Sequence, residues 1–188
     1  MQGRNIRKDA GRNRRAALRK ELLLSREMIG ARVRELAGEI SEDYRGKEPL
    51  LVSVLKGSVF FFADLVREIT LPSKIDFVRA ASYGKEMNSC GSVRLTKDLE
   101  LPVEGKSILL VEDIVDTGLT LSYITGLLAD RGAESIKICA LVDKLERRER
   151  HVPIDYCGFK VEEGFLVGYG LDFDEKYRSL PEIFVLKE

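Results

Sequence analysis

From residue 25 to residue 142, short unbroken apolar runs alternate with stretches whose apolar residues recur every three or four positions. The run 50–55 is interrupted only by Ser53 and has no polar face, as suits a strand covered on both sides. Runs 75–81, 107–111 and 136–142 have the same character. Between them lie helical patterns. Ser25 can cap a helix whose buried face is Ile29, Val33, Leu36, Ile40 and Tyr44, with Gly46 and Pro49 as its stop. Val59, Phe62, Leu65, Val66 and Ile69 predict the buried face of a second helix, closed by Pro72. Leu121, Ile124, Leu127 and Leu128 predict a third, ending at Gly132. Runs 154–158, 165–169 and 183–186 predict short late strands. Such alternation demands an α/β fold with a mainly parallel central sheet flanked by helices. Ligands of such sheets sit beyond the carboxyl ends of the strands.

With 188 residues the chain can bury one substantial core, and it has no eighteen-residue apolar run that could span a membrane. Its net charge of zero conceals an asymmetry: residues 1–20 carry +7 and residues 21–188 carry −7. No aromatic side chain interleaves the basic ones, so 1–20 reads as a flexible extension rather than a nucleic-acid arm, preceding a single domain over 21–188. No apolar segment of secretory type follows the basic start, and the absence of serine from 1–20 counts against a transit peptide. Cys90, Cys139 and Cys157 are an odd number without CxxC spacing, which argues against a disulfide framework or zinc site and for the cytoplasm. His151 has no nucleophile motif to serve and reads as a surface residue.

The chemistry concentrates in residues 108–121, ILLVEDIVDTGLTL. A buried strand delivers Glu112 and Asp113; Asp116, Thr117, Gly118, Leu119 and Thr120 follow, and then a helix begins. Two hydroxyls, a glycine that lets backbone approach closely, and the positive end of a helix dipole make a phosphate cradle. Neither GxxxxGK[ST] nor GxGxxG is present. Carboxylates rather than a lysine flank the cradle, which suits a ligand with a phosphate at one end and a hydroxylated sugar plus Mg²⁺ at the other. Helix capping alone does not need three acids in five positions.

VEDIVDTGLTL resembles the phosphoribosyl pyrophosphate signature of type I phosphoribosyltransferases, and the EDI-V-DTG form resembles their hypoxanthine-guanine branch. The likeness runs over roughly residues 21–186. It implies the family's fold, with a small hood over the base site, and transfer of a 5-phosphoribosyl group to hypoxanthine or guanine, giving IMP or GMP and pyrophosphate. It also implies Mg²⁺ as cofactor and a homodimer or homotetramer, with neither membrane nor nucleic acid as partner. By resemblance, Glu112 and Asp113 hold the ribose hydroxyls and, with Asp172, stand near the metal. Asp116 is the general base beside purine N7, and Asp116 through Thr120 hold the 5-phosphate. Lys56 and Gly57 meet pyrophosphate through their backbone, after a Leu55–Lys56 peptide that is often cis in the family. Ser82 and Tyr83 open the polar segment 82–98, which resembles a mobile lid that excludes water. Lys144 contacts purine O6, favouring hypoxanthine and guanine over adenine, because an ammonium donates to a carbonyl and repels an amine. Phe165 stacks on the purine, the backbones of Leu166 and Asp172 read its edge, and Arg178 binds pyrophosphate. Leu166 departs from the commoner valine, but only its backbone is used.

A rival from another class is a regulator of the same fold that binds nucleotides and RNA, with the basic segment as its feature. Asp116, Lys144, Phe165 and Arg178 together favour the enzyme, since a regulator needs neither a general base nor a full base pocket.

Overall fold

The computed structural model describes residues 19–83 and 92–187. Residues 1–18, 84–91 (which include Cys90 and most of the expected lid) and 188 lie outside the described residues. The elements are β1 Arg19–Leu24, α1 Arg26–Asp43, β2 Leu50–Val54, α2 Val59–Glu68, β3 Lys74–Tyr83, β4 Ser92–Lys97, β5 Ser107–Val115, α3 Leu119–Asp130, β6 Ser135–Lys144, β7 Tyr156–Val161, β8 Phe165–Val167 and β9 Ile183–Lys187. Six strands form the central sheet in the order β4-β3-β2-β5-β6-β7. All of its pairs are parallel except β3 with β4. A separate antiparallel sheet, β1-β9-β8, forms the hood.

Two apolar layers sandwich the central sheet, as its alternating side chains require. On one face Leu51, Leu109, Val111, Cys139 and Leu141 pack with Ile29, Leu36 and Ile40 of α1 and Phe61 and Leu65 of α2. On the other, Leu50, Val52, Ile108, Leu110 and Ile138 pack with Leu121, Ile124 and Leu128 of α3. Helix α1 starts as its sequence requires, with the Ser25 hydroxyl accepting from the Met28 amide at 3.3 Å.

Four sequence expectations shift. The buried stripe of α2 is Phe61, Phe62 and Leu65, while Val59 is exposed; an all-apolar VFFF run fits either rotation, so periodicity could not orient it. Residues 82–83 and 92–97 of the expected polar loop are strand, with Val93 and Leu95 alternating with polar neighbours along β4. Arg19 and Lys20, counted with the extension 1–20, pair with Lys187 and Leu186. Finally, β5 runs past Val111 to Val115, so Glu112 and Asp113 lie on the strand itself, not after it.

That last shift opens the site. Strand β2 pairs with β5 only as far as Ser53 with Val111, whereas β6 pairs with β5 through Val115. From β2 the chain crosses to β3 on one side, and from β5 to β6 on the other. The carboxyl ends of β2 and β5 are therefore the topological switch point, where such sheets leave a crevice.

Candidate active site

The crevice holds a cavity of about 310 Å³ lined by the 54–57 turn, residues 112–118, Thr120, Asp172 and Arg178. A second cavity of about 190 Å³ is lined by Lys144, Arg147, Gly164, Phe165, Leu166 and Leu171. Asp113, Ile114, Asp116 and Asp172 line both. The structure thus gathers the described candidates from the sequence around two adjoining spaces. Leu119 lines neither and opens α3; Ser82 and Tyr83 end β3.

At the floor, Glu112 and Asp113 are 8% and 7% exposed. Burial, then the neighbouring Asp113 carboxylate, raises the Glu112 carboxyl well above its usual range, and burial raises Asp113 too. Two carboxylates so confined favour hydroxyl donors or a cation beside them. Asp172 shares the cavity, but its Oδ1 pairs with Arg178 Nη2 at 2.8 Å and its Oδ2 accepts from the Glu175 amide at 2.9 Å. Among the described residues no three acid, His or Cys side chains converge to hold a metal by themselves. Glu112, Asp113 and Asp172 therefore line one cavity without forming a cage, which fits a divalent cation that keeps its waters and takes ligand oxygens.

The expected phosphate cradle, residues 116–120, is shaped by backbone. Gly118 adopts φ +81° and leads into α3, and the Thr117 hydroxyl accepts from the Leu119 amide at 3.3 Å. Opposite it, the Leu55–Lys56 peptide is cis. Gly57 lies so close beneath the acids that a Cβ there would stand 1.7 Å from Asp113 Oδ2. The hood rests on this turn: a Cβ at Gly170 would stand 1.8 Å from the Gly57 carbonyl oxygen. Lys56 Nζ bonds Glu175 at 3.0 Å, and this hydrogen bond, then one from Arg178, holds the Glu175 carboxyl below its usual range. The Arg178 fork donates to the Gly170 carbonyl at 2.7 Å, and its Nε is buried without a partner among the described residues.

The second cavity has a polar end and an aromatic wall. Lys144, at the end of β6, is 4% exposed, although the charged run around it reads in sequence as surface. Its Nζ bonds Glu146 at 2.8 Å and stands 3.9 Å from Asp116 Oδ1, a buried atom with no hydrogen-bond partner among the described residues. The Lys144 hydrogen bond holds Glu146 below the usual carboxylate range. Phe165 is 43% exposed, its ring edge-on to Phe173 at 5.4 Å between centroids. It begins β8, an edge strand of the hood, so one side of the Leu166 backbone has no strand partner.

Sequence reasoning missed Arg147, which lines the second cavity, and Arg148, whose guanidinium donates to the Val115 and Asp116 carbonyls at 2.9 Å each. Both sit in the run ERRER, where no spacing separates a buried arginine from a solvated one.

Comparison with known proteins agrees with this geometry. A family model described as a phosphoribosyl transferase domain matches residues 21–174. A Bacillus subtilis protein named hypoxanthine-guanine phosphoribosyltransferase is 46% identical over 167 residues, spanning 89% of this chain and 93% of that one. A Salmonella typhimurium hypoxanthine phosphoribosyltransferase is 43% identical, spanning 87% of this chain and 93% of its own length. The crystal structure of a Staphylococcus aureus hypoxanthine phosphoribosyltransferase superposes with a TM-score of 0.85 at 42% identity, covering 89% of this chain and 91% of that one. A chain with this switch-point crevice, this acidic floor and these relatives over most of its length belongs to the phosphoribosyltransferase family.

Proposed function

We propose that this enzyme serves purine salvage by moving the 5-phosphoribosyl group of phosphoribosyl pyrophosphate onto hypoxanthine or guanine, giving IMP or GMP and pyrophosphate. The observation that carries the reading is the pair of cavities divided by Asp116, one with a phosphate cradle and acidic floor, the other with a buried ammonium and an aromatic wall.

In this reading the cradle Asp116 to Thr120 takes the 5-phosphate, and Glu112 and Asp113 accept from the ribose hydroxyls. The backbone of Lys56 and Gly57, with Arg178, receives pyrophosphate and opposes the negative charge that grows as it leaves. Glu112, Asp113 and Asp172 would hold Mg²⁺, which would supply further positive charge there. In the second cavity Lys144 donates to purine O6, Phe165 covers the ring face, and the backbones of Leu166 and Asp172 meet its edge. The unpartnered Asp116 Oδ1 takes the purine proton as the new bond forms. Ser82 and Tyr83 begin the lid that keeps water from the sugar's cationic transition state. We further propose a cytoplasmic homodimer or homotetramer in which residues 1–18 act mainly as an extension of the domain that begins with β1.

The test is a spectrophotometric assay with phosphoribosyl pyrophosphate, Mg²⁺ and hypoxanthine, guanine, xanthine or adenine in turn. Conversion of the 6-oxopurines but not adenine is expected, and Lys144→Met should abolish that preference. Adenine turnover equal to that of hypoxanthine would overturn the role given to Lys144.

A further inference from the structure

Arg148 touches neither cavity, yet it holds the wall between them. Its side chain is only 14% exposed, and its fork reaches four oxygens. Nε donates to the Asp116 carbonyl at 2.9 Å; Nη2 donates to the Val115 carbonyl at 2.9 Å, the Asp143 carboxylate at 2.5 Å and the Lys144 carbonyl at 3.2 Å. The next two residues extend the clamp, since the amides of Glu149 and Arg150 both donate to the Thr117 carbonyl at 3.0 Å. Gly118 completes the fit: a Cβ there would stand 2.3 Å from the Arg150 carbonyl oxygen and 3.3 Å from Arg148 Cδ.

We propose that Arg148 is a positioning residue that sets the phosphate cradle against the end of β6. Three successive carbonyls, those of Val115, Asp116 and Thr117, are turned onto the 148–150 segment. Fixing a carbonyl fixes the plane of its peptide, and so the direction of the amide that follows. The amides after Val115, Asp116 and Thr117 are those of Asp116, Thr117 and Gly118, which belong to the cradle. The same contacts fix the Asp116 backbone, so its carboxylate stands beside Lys144. Arginine suits this task because one planar group can serve divergent acceptors, and Asp143 neutralises its charge in a nearly buried place. A lysine has one nitrogen and cannot span the same set.

The effect should fall on the cradle more than on the base pocket. Although Arg148 also bonds its carbonyl, Lys144 keeps two further anchors, its pairing in β6 with Val161 and its bond to Glu146. The loop 116–118 has no strand partner, so the clamp supplies much of its order.

This inference rests on residues 116–120 taking the 5-phosphate, and the experiment separates the two claims. Full-length wild type, Arg148→Lys, Arg148→Met and Thr120→Val are compared in steady-state kinetics with phosphoribosyl pyrophosphate and hypoxanthine varied separately, and by thermal melting. Both Arg148 variants are expected to raise the KM for phosphoribosyl pyrophosphate about tenfold or more, the scale of losing hydrogen bonds to a charged donor. The KM for hypoxanthine should move far less, and lysine should rescue little. An Arg148→Lys enzyme with wild-type constants overturns the clamp, as does an equal rise in both KM values. Should Arg148→Met fail to fold, the lysine variant decides by the same split. An unchanged KM for phosphoribosyl pyrophosphate in Thr120→Val overturns the phosphate reading itself, and the clamp's purpose with it.

Discussion

Asp116→Asn separates the chemistry of this site from its architecture. Asparagine keeps the shape of aspartate and removes the charge. In the wild-type site Oδ1 is buried, accepts no hydrogen bond and lies 3.9 Å from Lys144 Nζ, while Lys144 keeps its closer partner Glu146 at 2.8 Å. The fold therefore loses one long ion contact on a partly exposed side chain, worth about 0–1 kcal/mol. The cradle survives as well, because Asp116 contributes to it through its backbone amide, and its carbonyl stays held by Arg148. A lost general base costs about 10²–10⁴ in rate, or roughly 3–5 kcal/mol of barrier. The expected result is a kcat lowered by at least about a hundredfold, with a nearly unchanged melting temperature and IMP affinity. The measurements are initial rates at saturating phosphoribosyl pyrophosphate and hypoxanthine, and IMP binding by calorimetry. Turnover within a few-fold of wild type would refute the assignment of the proton to Asp116. A parallel collapse of IMP binding would instead make the carboxylate part of the binding surface.

Other perturbations follow from the same geometry. Gly118→Ala forces a side chain into φ +81° and to within 2.3 Å of the Arg150 carbonyl oxygen; it should cost at least about 1–2 kcal/mol of stability and raise the KM for phosphoribosyl pyrophosphate, both readable by denaturation and kinetics. Phe61→Ala empties a fully buried position where α2 meets the sheet and should cost about 3–5 kcal/mol in urea unfolding. Asp98 accepts two hydrogen bonds from Arg131 at 2.6 Å each, and these hold its carboxyl below 3.8. Because the folded value is the lower one, the contribution is full above about pH 3.8 and fades as pH falls through the folded value. Asp98→Asn should therefore lose up to about 1 kcal/mol near neutrality, and the difference from wild type should close in acid melts.

Much of this protein was legible in its sequence. Alternating apolar runs and helical periods fixed the α/β class and the order of most elements, because burial on two faces leaves a strand no polar positions. The segment Glu112 to Thr120 announced a phosphate-and-sugar site, because its chemistry is local: acids, hydroxyls, a glycine and a helix start lie within nine residues. What depended on partners far along the chain was decided only by the tertiary structure. Arg19 and Lys20, the first residues of β1, look like the end of a charged tail until β9 pairs with them from the other end of the molecule. Arg148 reads as surface within a charged run, yet it clamps the cradle; without the family resemblance Lys144 would read the same way, yet it is buried beside Asp116. A charge's burial depends on acceptors brought from elsewhere, here the carbonyls of Val115 and Asp116 and the carboxylate of Asp143. No local pattern encodes those meetings; the switch point between β2 and β5, which brings the 54–57 turn, the 112–120 segment and the hood to one crevice, does.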